Sequence, residues 1–181
     1  MDTEAPVDAV RAVAPAEIER LFFCAAVRGI GSLFADYGVT TEPCAFPMAM
    51  QPLLPDQFGR VAFIGDGIEG AIVLGASSGP LGRSRPDVNG PDNWIAELTN
   101  QLMGRIKNQM LRAGIQLQQA LPAVVGAEKL RALSGDLRPW ILLATDGVVG
   151  VGIEIDVPAP IIPDARLLNW DVPPEGELLL F

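Results

Sequence analysis

A glutamate and an asparagine three positions apart, Glu97 and Asn100, are the side chains of this sequence best placed to act together. The spacing puts both on one side of a helix. Since the chain has no histidine, Ser-His and Cys-His pairs and histidine metal sites are excluded. Acid–base chemistry would therefore fall to carboxylates, lysines or the single Tyr37. The acidic residues are too scattered to predict a metal site, and an exposed Glu-Asn pair is most often ordinary polar surface.

The pair lies in a predicted helix, Asp92–Gly114, with Asp92 as N-cap and Gly114 just after the C-cap. Apolar residues recur at i+3 and i+4 and predict one buried stripe: Ile95, Leu98, Leu102, Ile106, Met110 and Ala113. The opposite face carries Glu97, Asn100, Gly104 and Asn108. A glycine inside a helix costs roughly 1 kcal/mol relative to alanine. Gly104 therefore suggests bare backbone that another molecule approaches closely.

Composition limits the class of protein. The chain has 181 residues, of which 49% are hydrophobic, and this suits one domain with a sizeable core. A net charge of −9 disfavours nucleic-acid binding or a basic membrane patch. The chain has no apolar run of ~20 residues and no hydrophobic signal segment, so we expect a cytoplasmic protein. Cys24 and Cys44 are too few for a disulfide framework, and Cys24 is expected to be buried.

The remaining patterns predict a helix over 15–36, an edge strand over 39–50, hairpins over 58–76 and 139–156, and a strand after Gly114. The second hairpin is expected to turn on Asp146-Gly147. Gly65–Gly70 matches the dinucleotide motif G-x-G-x-x-G, but a strand follows it where that motif requires a helix. The run Ser77–Pro91 has no helical pattern and predicts an irregular loop.

An internal repeat is visible at an offset of 80 residues, which aligns Asp66-Gly67 with Asp146-Gly147 and Glu17 with Glu97. Arg20 then stands where Asn100 does, so only one half has the asparagine. We predict an α+β fold in which each half is a helix, an extended passage and a hairpin. A single domain, 15–156, would contain the halves 15–76 and 92–156, between a flexible acidic tail, 1–14, and a Pro-rich extension, 157–181. The apolar end of that extension, GELLLF, is expected to pack on the body or on a partner.

Two segments resemble a known signature. AELTNQLMGRIK (Ala96–Lys107) and ALPAVVG (Ala120–Gly126) are similar to that of the CheX-like chemotaxis phosphatases of the CheC/CheX/FliY superfamily. The signature reads Glu-x-x-Asn-x-x-x-Gly, followed by a strand that ends in a Pro-containing turn and Gly. The resemblance extends over about Pro15–Asp156 and implies a CheC-like fold, with long helices packed on a largely antiparallel sheet. The interval Ser77–Pro91 departs from the family, which usually has a helix there.

The resemblance implies hydrolysis of the aspartyl-phosphate of a CheY-like response regulator. Asn100 would position the attacking water, because an acyl phosphate needs a well-placed nucleophile more than a strong base. Glu97 would contact a lysine of the partner, and Gly104 and Asn108 would belong to the contact surface. The protein would need no cofactor of its own, since the regulator would supply Mg²⁺. Members of this type often pair as dimers, so the resemblance also implies a homodimer as one option for this chain.

Two other classes of function remain open at this point. The chain could be a docking module that binds a receiver domain or a flagellar-switch component without hydrolysing anything. It could also be a structural or dimerisation subunit without phosphate chemistry. Loss of phosphate from a phosphorylated receiver would distinguish a phosphatase from a docking module, and a structural subunit would not bind a receiver.

Overall fold

The computed structural model describes residues 11–43, 55–85, 91–128, 130 and 138–164. The elements in chain order are α1 (Pro15–Asp36), β1 (Thr41–Pro43), β2 (Gln57–Gly65), β3 (Ile68–Ala76), α2 (Ser78–Arg83), α3 (Pro91–Arg112), β4 (Leu117–Gln119), β5 (Ala123–Val124), β6 (Arg138–Ala144) and β7 (Gly147–Asp156).

The strands form one seven-stranded sheet in the order β1-β6-β7-β3-β2-β4, with β5 also paired to β2. Every pairing is antiparallel, so the predicted α+β class with an antiparallel sheet is confirmed. The β2–β3 turn is Asp66-Gly67, where Gly67 has a φ of +75°. Because strand β3 follows this turn directly, Gly65–Gly70 does not open a dinucleotide-binding helix.

The two halves of the chain exchange their edge strands. β1 follows α1 but pairs with β6 of the second hairpin, while β4 follows α3 but pairs with β2 of the first hairpin. β3 and β7 join the hairpins at the centre of the sheet. Each half therefore completes the sheet of the other, which makes the two halves one structural unit.

Helices α1 and α3 cover the same face of the sheet. Alternate strand residues such as Val61, Phe63, Ile72 and Val151 are buried beneath them. The rings of Phe22 and Phe63 stack with their centroids 4.7 Å apart, which ties α1 to β2. Burying each large apolar side chain stabilises the fold by ~1.5–3 kcal/mol relative to leaving it exposed. Burial is therefore what fixes the orientation of both helices.

The repeat is present at a different offset from the predicted one. α1 and α3 each have 22 residues. Each is followed by a glycine with positive φ, Gly38 and Gly114, and these lie 76 residues apart. Strands β1 and β4 start at the same 76-residue spacing. The predicted pairing of Glu17 with Glu97 and of Arg20 with Asn100 is therefore wrong. The helices match at an offset of 76 residues, about one helical turn less than the predicted 80.

The two hairpin turns do not match at 80 residues either. The second hairpin turns on Thr145-Asp146, and Gly147 is the first residue of β7. The predicted turn at Asp146-Gly147 is thus wrong by one residue. A Cβ on Gly147 would lie 2.7 Å from the Cβ of Ser77. Glycine at this point is needed for close packing against the start of α2.

The prediction of an irregular loop over Ser77–Pro91 is wrong for its first part, which contains the helix α2. Pro80 and Leu81 are buried, and the guanidinium of Arg83 binds the carboxylate of Asp146 at 2.5 Å. The Val148 amide donates to Ser77 Oγ at 3.1 Å. These tertiary contacts stabilise a Gly- and Pro-containing segment that has little helical propensity of its own. Residues 86–90 lie outside the described part of the chain.

Contacts also occur in segments predicted as a tail and an extension. Val13 pairs with Ile161 through two backbone hydrogen bonds of 2.8 and 3.0 Å. The Asp164 amide donates to the Gly114 carbonyl at 3.0 Å. Residues 13 and 157–164 thus pack on the body. Residues 1–10, most of the predicted strand 39–50, and the GELLLF end lie outside the described residues.

Candidate functional site

Helix α3 lies directly on strand β2, and this close approach fixes the direction of its outer face. A Cβ on Gly59 of β2 would lie 2.1 Å from Thr99 Oγ1 and 2.8 Å from the Ile95 carbonyl oxygen. Thr99 Oγ1 in turn donates to that carbonyl at 2.6 Å. Only a glycine allows the helix backbone to come this close. With Thr99 held against the sheet, its neighbour Asn100 lies at the border between the buried and outer faces.

The ends of α3 differ slightly from the prediction. The helix begins at Pro91, since proline is well tolerated at the first position of a helix. Asp92 therefore lies inside the first turn and is not the N-cap. The helix ends at Arg112 with a Schellman motif, in which the Ile115 amide donates to the Met110 carbonyl at 2.9 Å and the Gly114 amide to the Leu111 carbonyl at 3.0 Å. Gly114 has a φ of +75°, as its predicted place after the C-cap requires.

The buried stripe of α3 agrees with the prediction except at its last member. Five residues of the stripe are buried: Ile95, Leu98, Leu102, Ile106 and Met110. Ala113 is half-buried and lies beyond the helix. Trp94, Thr99 and Met103 are also buried, so the contact with the rest of the molecule is wider than one stripe.

The four predicted site residues all lie on the outer side of α3. Glu97 and Asn108 are exposed, and Asn100 and Gly104 are half-buried. Among the described residues, no heavy atom outside the helix's own neighbouring backbone would contact a Cβ on Gly104 within 4 Å. This glycine therefore does not admit another helix of the described part of the chain.

Asn100 is held by a residue of the sheet. Gln119 Nε2, on β4, donates to Asn100 Oδ1 at 2.6 Å, and the contact is partly buried. The contact joins an outer-face side chain of α3 to an edge strand. It fixes which side of the Asn100 carboxamide faces the strand. No motif or spacing in the sequence points to Gln119.

Glu97 is held by a chain of polar and aromatic contacts. Gln101 Nε2 donates to Glu97 Oε1 at 3.0 Å, and the Tyr37 hydroxyl donates to Gln101 Oε1 at 3.0 Å. The Tyr37 ring packs edge-on against Trp94, with centroids 5.3 Å apart. Trp94 Nε1 donates to Ser84 Oγ at 3.0 Å. The predicted role for Tyr37 is that of an acid or base, whereas in the structure its hydroxyl orients Gln101, the residue that donates to Glu97.

The charge of Glu97 remains available to a partner. Its hydrogen-bond donor, Gln101, is neutral. Ion pairs within the described ranges include those of Arg60 with Glu154, Arg83 with Asp146, and Arg105 with Asp36. None of these includes Glu97. An exposed carboxylate held by a neutral amide is suited to binding a cationic side chain from another molecule.

Exposed apolar side chains follow Gln119 along the chain. Leu121 is 91% exposed and Val124 is 46% exposed. The strand predicted after Gly114 is interrupted here, because β4 ends at Gln119 and β5 begins at Ala123. A proline at position 122 has no amide hydrogen to donate to β2, which accounts for the break.

Within the described residues, no group of three or more His, Cys, Asp and Glu side chains is arranged to hold a metal ion. The same part of the chain has no helix long and apolar enough to cross a lipid bilayer. Cys24 is half-buried, less than the burial predicted for it.

Comparison with protein-family models gives no match, and comparison with curated proteins also gives none. Solved structures do match. Chemotaxis protein CheX from Vibrio vulnificus has a TM-score of 0.60 at 16% identity, over 75% of this chain and 96% of that protein. A CheC-like superfamily protein from Shewanella sp. PV-4 has a TM-score of 0.58 at 14% identity, over 75% of this chain and 97% of that protein.

A third match is the CheX of the CheX–CheY–BeF3–Mg²⁺ complex from Borrelia burgdorferi, with a TM-score of 0.51 at 17% identity. It covers 76% of this chain and 96% of that protein. The chain therefore has the fold of the CheX- and CheC-like chemotaxis proteins. At these identities the comparison establishes the fold, and the roles of individual residues must be argued from their geometry.

Proposed function

We propose that this protein binds a CheY-like receiver domain and hydrolyses its aspartyl-phosphate. The observation that carries the proposal is the outer face of α3. It presents an exposed carboxylate and a half-buried carboxamide three residues apart, each oriented by a glutamine, Gln101 and Gln119. The fold adds support, since a neighbour of the same fold forms a complex with CheY, BeF3 and Mg²⁺.

Asn100 is proposed to position the attacking water. Its contact with Gln119 uses one of the two lone pairs of Oδ1. The oxygen can still accept a hydrogen from a water molecule and so direct the water's own lone pair at phosphorus. Attack breaks the bond between phosphorus and the aspartyl oxygen, and yields inorganic phosphate and the free aspartate. The carboxamide is neutral, so it adds no negative charge beside the phosphoryl oxygens.

Glu97 is proposed to bind a lysine of the receiver. The carboxylate is exposed at the outer face and accepts a hydrogen bond from a neutral donor. A lysine ammonium of the receiver would therefore meet a carboxylate that takes part in none of the ion pairs named above for the described residues. An ion pair of this kind fixes the register of docking, because the fixed turn of helix between Glu97 and Asn100 then sets where Asn100 enters the receiver. The Mg²⁺ that neutralises the phosphoryl group would belong to the receiver.

Gly104 and Asn108 are proposed to line the contact one and two turns beyond Asn100. The open space outside Gly104 lets the receiver approach the α3 backbone. Leu121, on the connection that follows Gln119, adds an exposed apolar contact. Together these residues describe a polar centre, formed by α3, with apolar surface at one side.

The test is the decay of phosphorylated receiver domains from the source organism, charged with acetyl phosphate, with and without the protein. We expect accelerated release of inorganic phosphate, and no acceleration with Asn100→Ala. A parallel titration measures binding of each form to the same receiver carrying BeF3 and Mg²⁺. Asn100→Ala should bind within about threefold of wild type, because the water contact contributes mainly in the transition state.

The opposite results select the other classes. A wild-type protein that binds a receiver tightly without shortening the lifetime of its phosphate is a docking module. Full activity in Asn100→Ala would remove Asn100 from the mechanism. Absence of binding to every receiver tested would indicate a structural role and would reject the proposal as a whole.

A further inference from the structure

We propose that Gln119 is a positioning residue for Asn100, and that the hydrolytic site therefore includes the edge strand β4 as well as helix α3. This inference rests on the proposed phosphatase function. It goes beyond the signature Glu-x-x-Asn-x-x-x-Gly, because Gln119 lies 19 residues from Asn100 and in a different element.

Both ends of the contact are on rigid supports. Asn100 lies in the middle of α3, next to Thr99, which is buried and packed against Gly59. Gln119 pairs with Phe63 of β2, and the next amide, that of Ala120, donates to the Ala62 carbonyl at 2.9 Å. The distance of 2.6 Å between Gln119 Nε2 and Asn100 Oδ1 is thus set by the packing of the helix on the sheet.

The hydrogen bond determines which way the carboxamide points. Gln119 Nε2 is a donor and can pair only with the oxygen of Asn100, so the oxygen is on the strand side. Without that donor, the Asn100 side chain would rotate about its terminal bond and exchange the places of Oδ1 and Nδ2. Only one orientation presents Oδ1 to a water in the same way each time a receiver docks.

The hydrogen bond from Gln119 is expected to speed hydrolysis by orienting Asn100, and to leave the affinity for the receiver nearly unchanged. A side chain already held in its working rotamer loses no further freedom when the partner binds. Misplacing a catalytic group by about 1 Å can lower a rate by ~100-fold. We therefore expect loss of the Gln119 donor to lower the rate of phosphate release by about 10- to 100-fold, while the Kd for the receiver changes by less than about threefold.

Strand β4 contains a matched control position next to Gln119. Gln118 is exposed, and its side chain points to the other face of the strand from that of Gln119. Gln119→Leu removes the donor at similar volume, and Gln119→Glu keeps the shape but replaces the donor with an acceptor. Gln118→Leu makes the same chemical change at the neighbouring position and should leave the rate at the wild-type value.

The kinetic test measures phosphate release from an acetyl-phosphate-charged receiver at saturating protein, and the Kd with BeF3 and Mg²⁺. Gln119→Leu and Gln119→Glu should both be slow with unchanged Kd. The double variant Asn100→Ala/Gln119→Leu should be no slower than Asn100→Ala alone, since Gln119 acts only through Asn100. A wild-type rate in either single Gln119 variant would overturn the inference.

A second measurement does not depend on activity. The side-chain amide of Asn100 should give one pair of NMR signals in the free wild-type protein and in Gln118→Leu. The signals should be shifted in both Gln119 variants: averaged between two orientations in Gln119→Leu, and those of the reversed orientation in Gln119→Glu, whose carboxylate would accept from Asn100 Nδ2. Unchanged Asn100 signals in the two Gln119 variants would reject the positioning role. If wild type never accelerates phosphate release, the proposed function fails, and this measurement alone decides whether Gln119 orients Asn100.

Discussion

Helices α1 and α3 have the same length, the same type of C-terminal motif and lie on the same face of the sheet, yet only α3 presents the Glu-Asn pair. The Val39 amide donates to the Phe34 carbonyl at 2.9 Å and the Gly38 amide to the Ala35 carbonyl at 2.9 Å, as their counterparts do after α3. At the 76-residue offset fixed by these ends, Leu21, Cys24 and Arg28 stand where α3 has Glu97, Asn100 and Gly104.

The edge strands show the same contrast. Gln119, at the end of β4, corresponds to Pro43 at the end of β1. Proline has no side-chain donor and could not hold an asparagine on α1. Both helices thus bury apolar residues at matching positions, such as Phe22 and Leu98 or Ile30 and Ile106, and they differ at the positions of the Glu-Asn pair. Burial restricts a helix to one orientation, whereas exposed positions change at little cost to stability.

The largest effect is expected from moving the pair to the other helix. Leu21→Glu/Cys24→Asn in an Asn100→Ala background gives α1 a Glu-Asn pair with the same spacing. The same protein lacks the asparagine of α3. We expect activity to stay at least ~100-fold below wild type, the usual scale for loss of one preorganised catalytic group. The reason is that Pro43 offers the new asparagine no donor. The measurement is phosphate release from a charged receiver.

The control for this graft is the double substitution Leu21→Glu/Cys24→Asn in the wild-type background, which should keep full activity and a single binding site per chain. Recovery of activity by the grafted Asn100→Ala protein would mean that the two helices are functionally equivalent. The contrast between α1 and α3 would then lie in the side chains of the pair alone.

Two glycines distinguish a helix contact from an open face. A Cβ on Gly29 of α1 would lie 2.9 Å from Leu102 Cδ1 of α3, whereas a Cβ on Gly104 would meet open space. Gly29→Leu should lower the free energy of unfolding by ~1–3 kcal/mol through overpacking, measured by urea denaturation. Gly104→Leu should keep wild-type stability or exceed it, and weaken receiver binding by its bulk. Equal stability of the two variants would contradict this assignment.

The features that followed from the sequence are the ones set by local patterns. The α3 stripe from Ile95 to Met110 was predictable because burial repeats with the helical period. The hairpins were predictable from turn residues, apart from a one-residue error at Gly147. Helix α2 was missed because its stability comes from Asp146 and the buried Leu81 rather than from propensity.

The site was predictable only in part. Glu97, Asn100, Gly104 and Asn108 share a face, and helical spacing is enough to place them together. Gln101 could have been found, since it lies four residues after Glu97 and such pairs contact on a helix. Gln119 could not, because the register of a three-residue edge strand against β2 follows from long-range packing. The same limitation concealed the exchange of β1 and β4 between the halves.

A smaller effect is expected at the glutamate. Glu97→Ala should raise the Kd for a receiver carrying BeF3 and Mg²⁺ about tenfold, which corresponds to ~1.4 kcal/mol, because it removes the partner's lysine contact. The matched control is Glu17→Ala, an exposed glutamate near the start of α1, which should leave the Kd unchanged. The difference between the two variants should shrink as salt is raised. Equal affinity of both variants would separate Glu97 from the interface.

The smallest expected effect is a gain in stability from Gly104→Ala. Alanine is favoured over glycine inside a helix by ~0.8–1 kcal/mol, and the added methyl group enters open space outside α3. For a chain of this size we expect the melting temperature to rise by about 2–4 °C. Gly29→Ala is the comparison on α1, where the new methyl group would press on Leu102 and offset that gain.

The affinity of Gly104→Ala for the receiver, measured together with its melting temperature, then shows whether Gly104 serves docking. A more stable protein with weaker binding means that helix stability is given up at this position so that a partner can approach, whereas unchanged binding would exclude Gly104 from the contact.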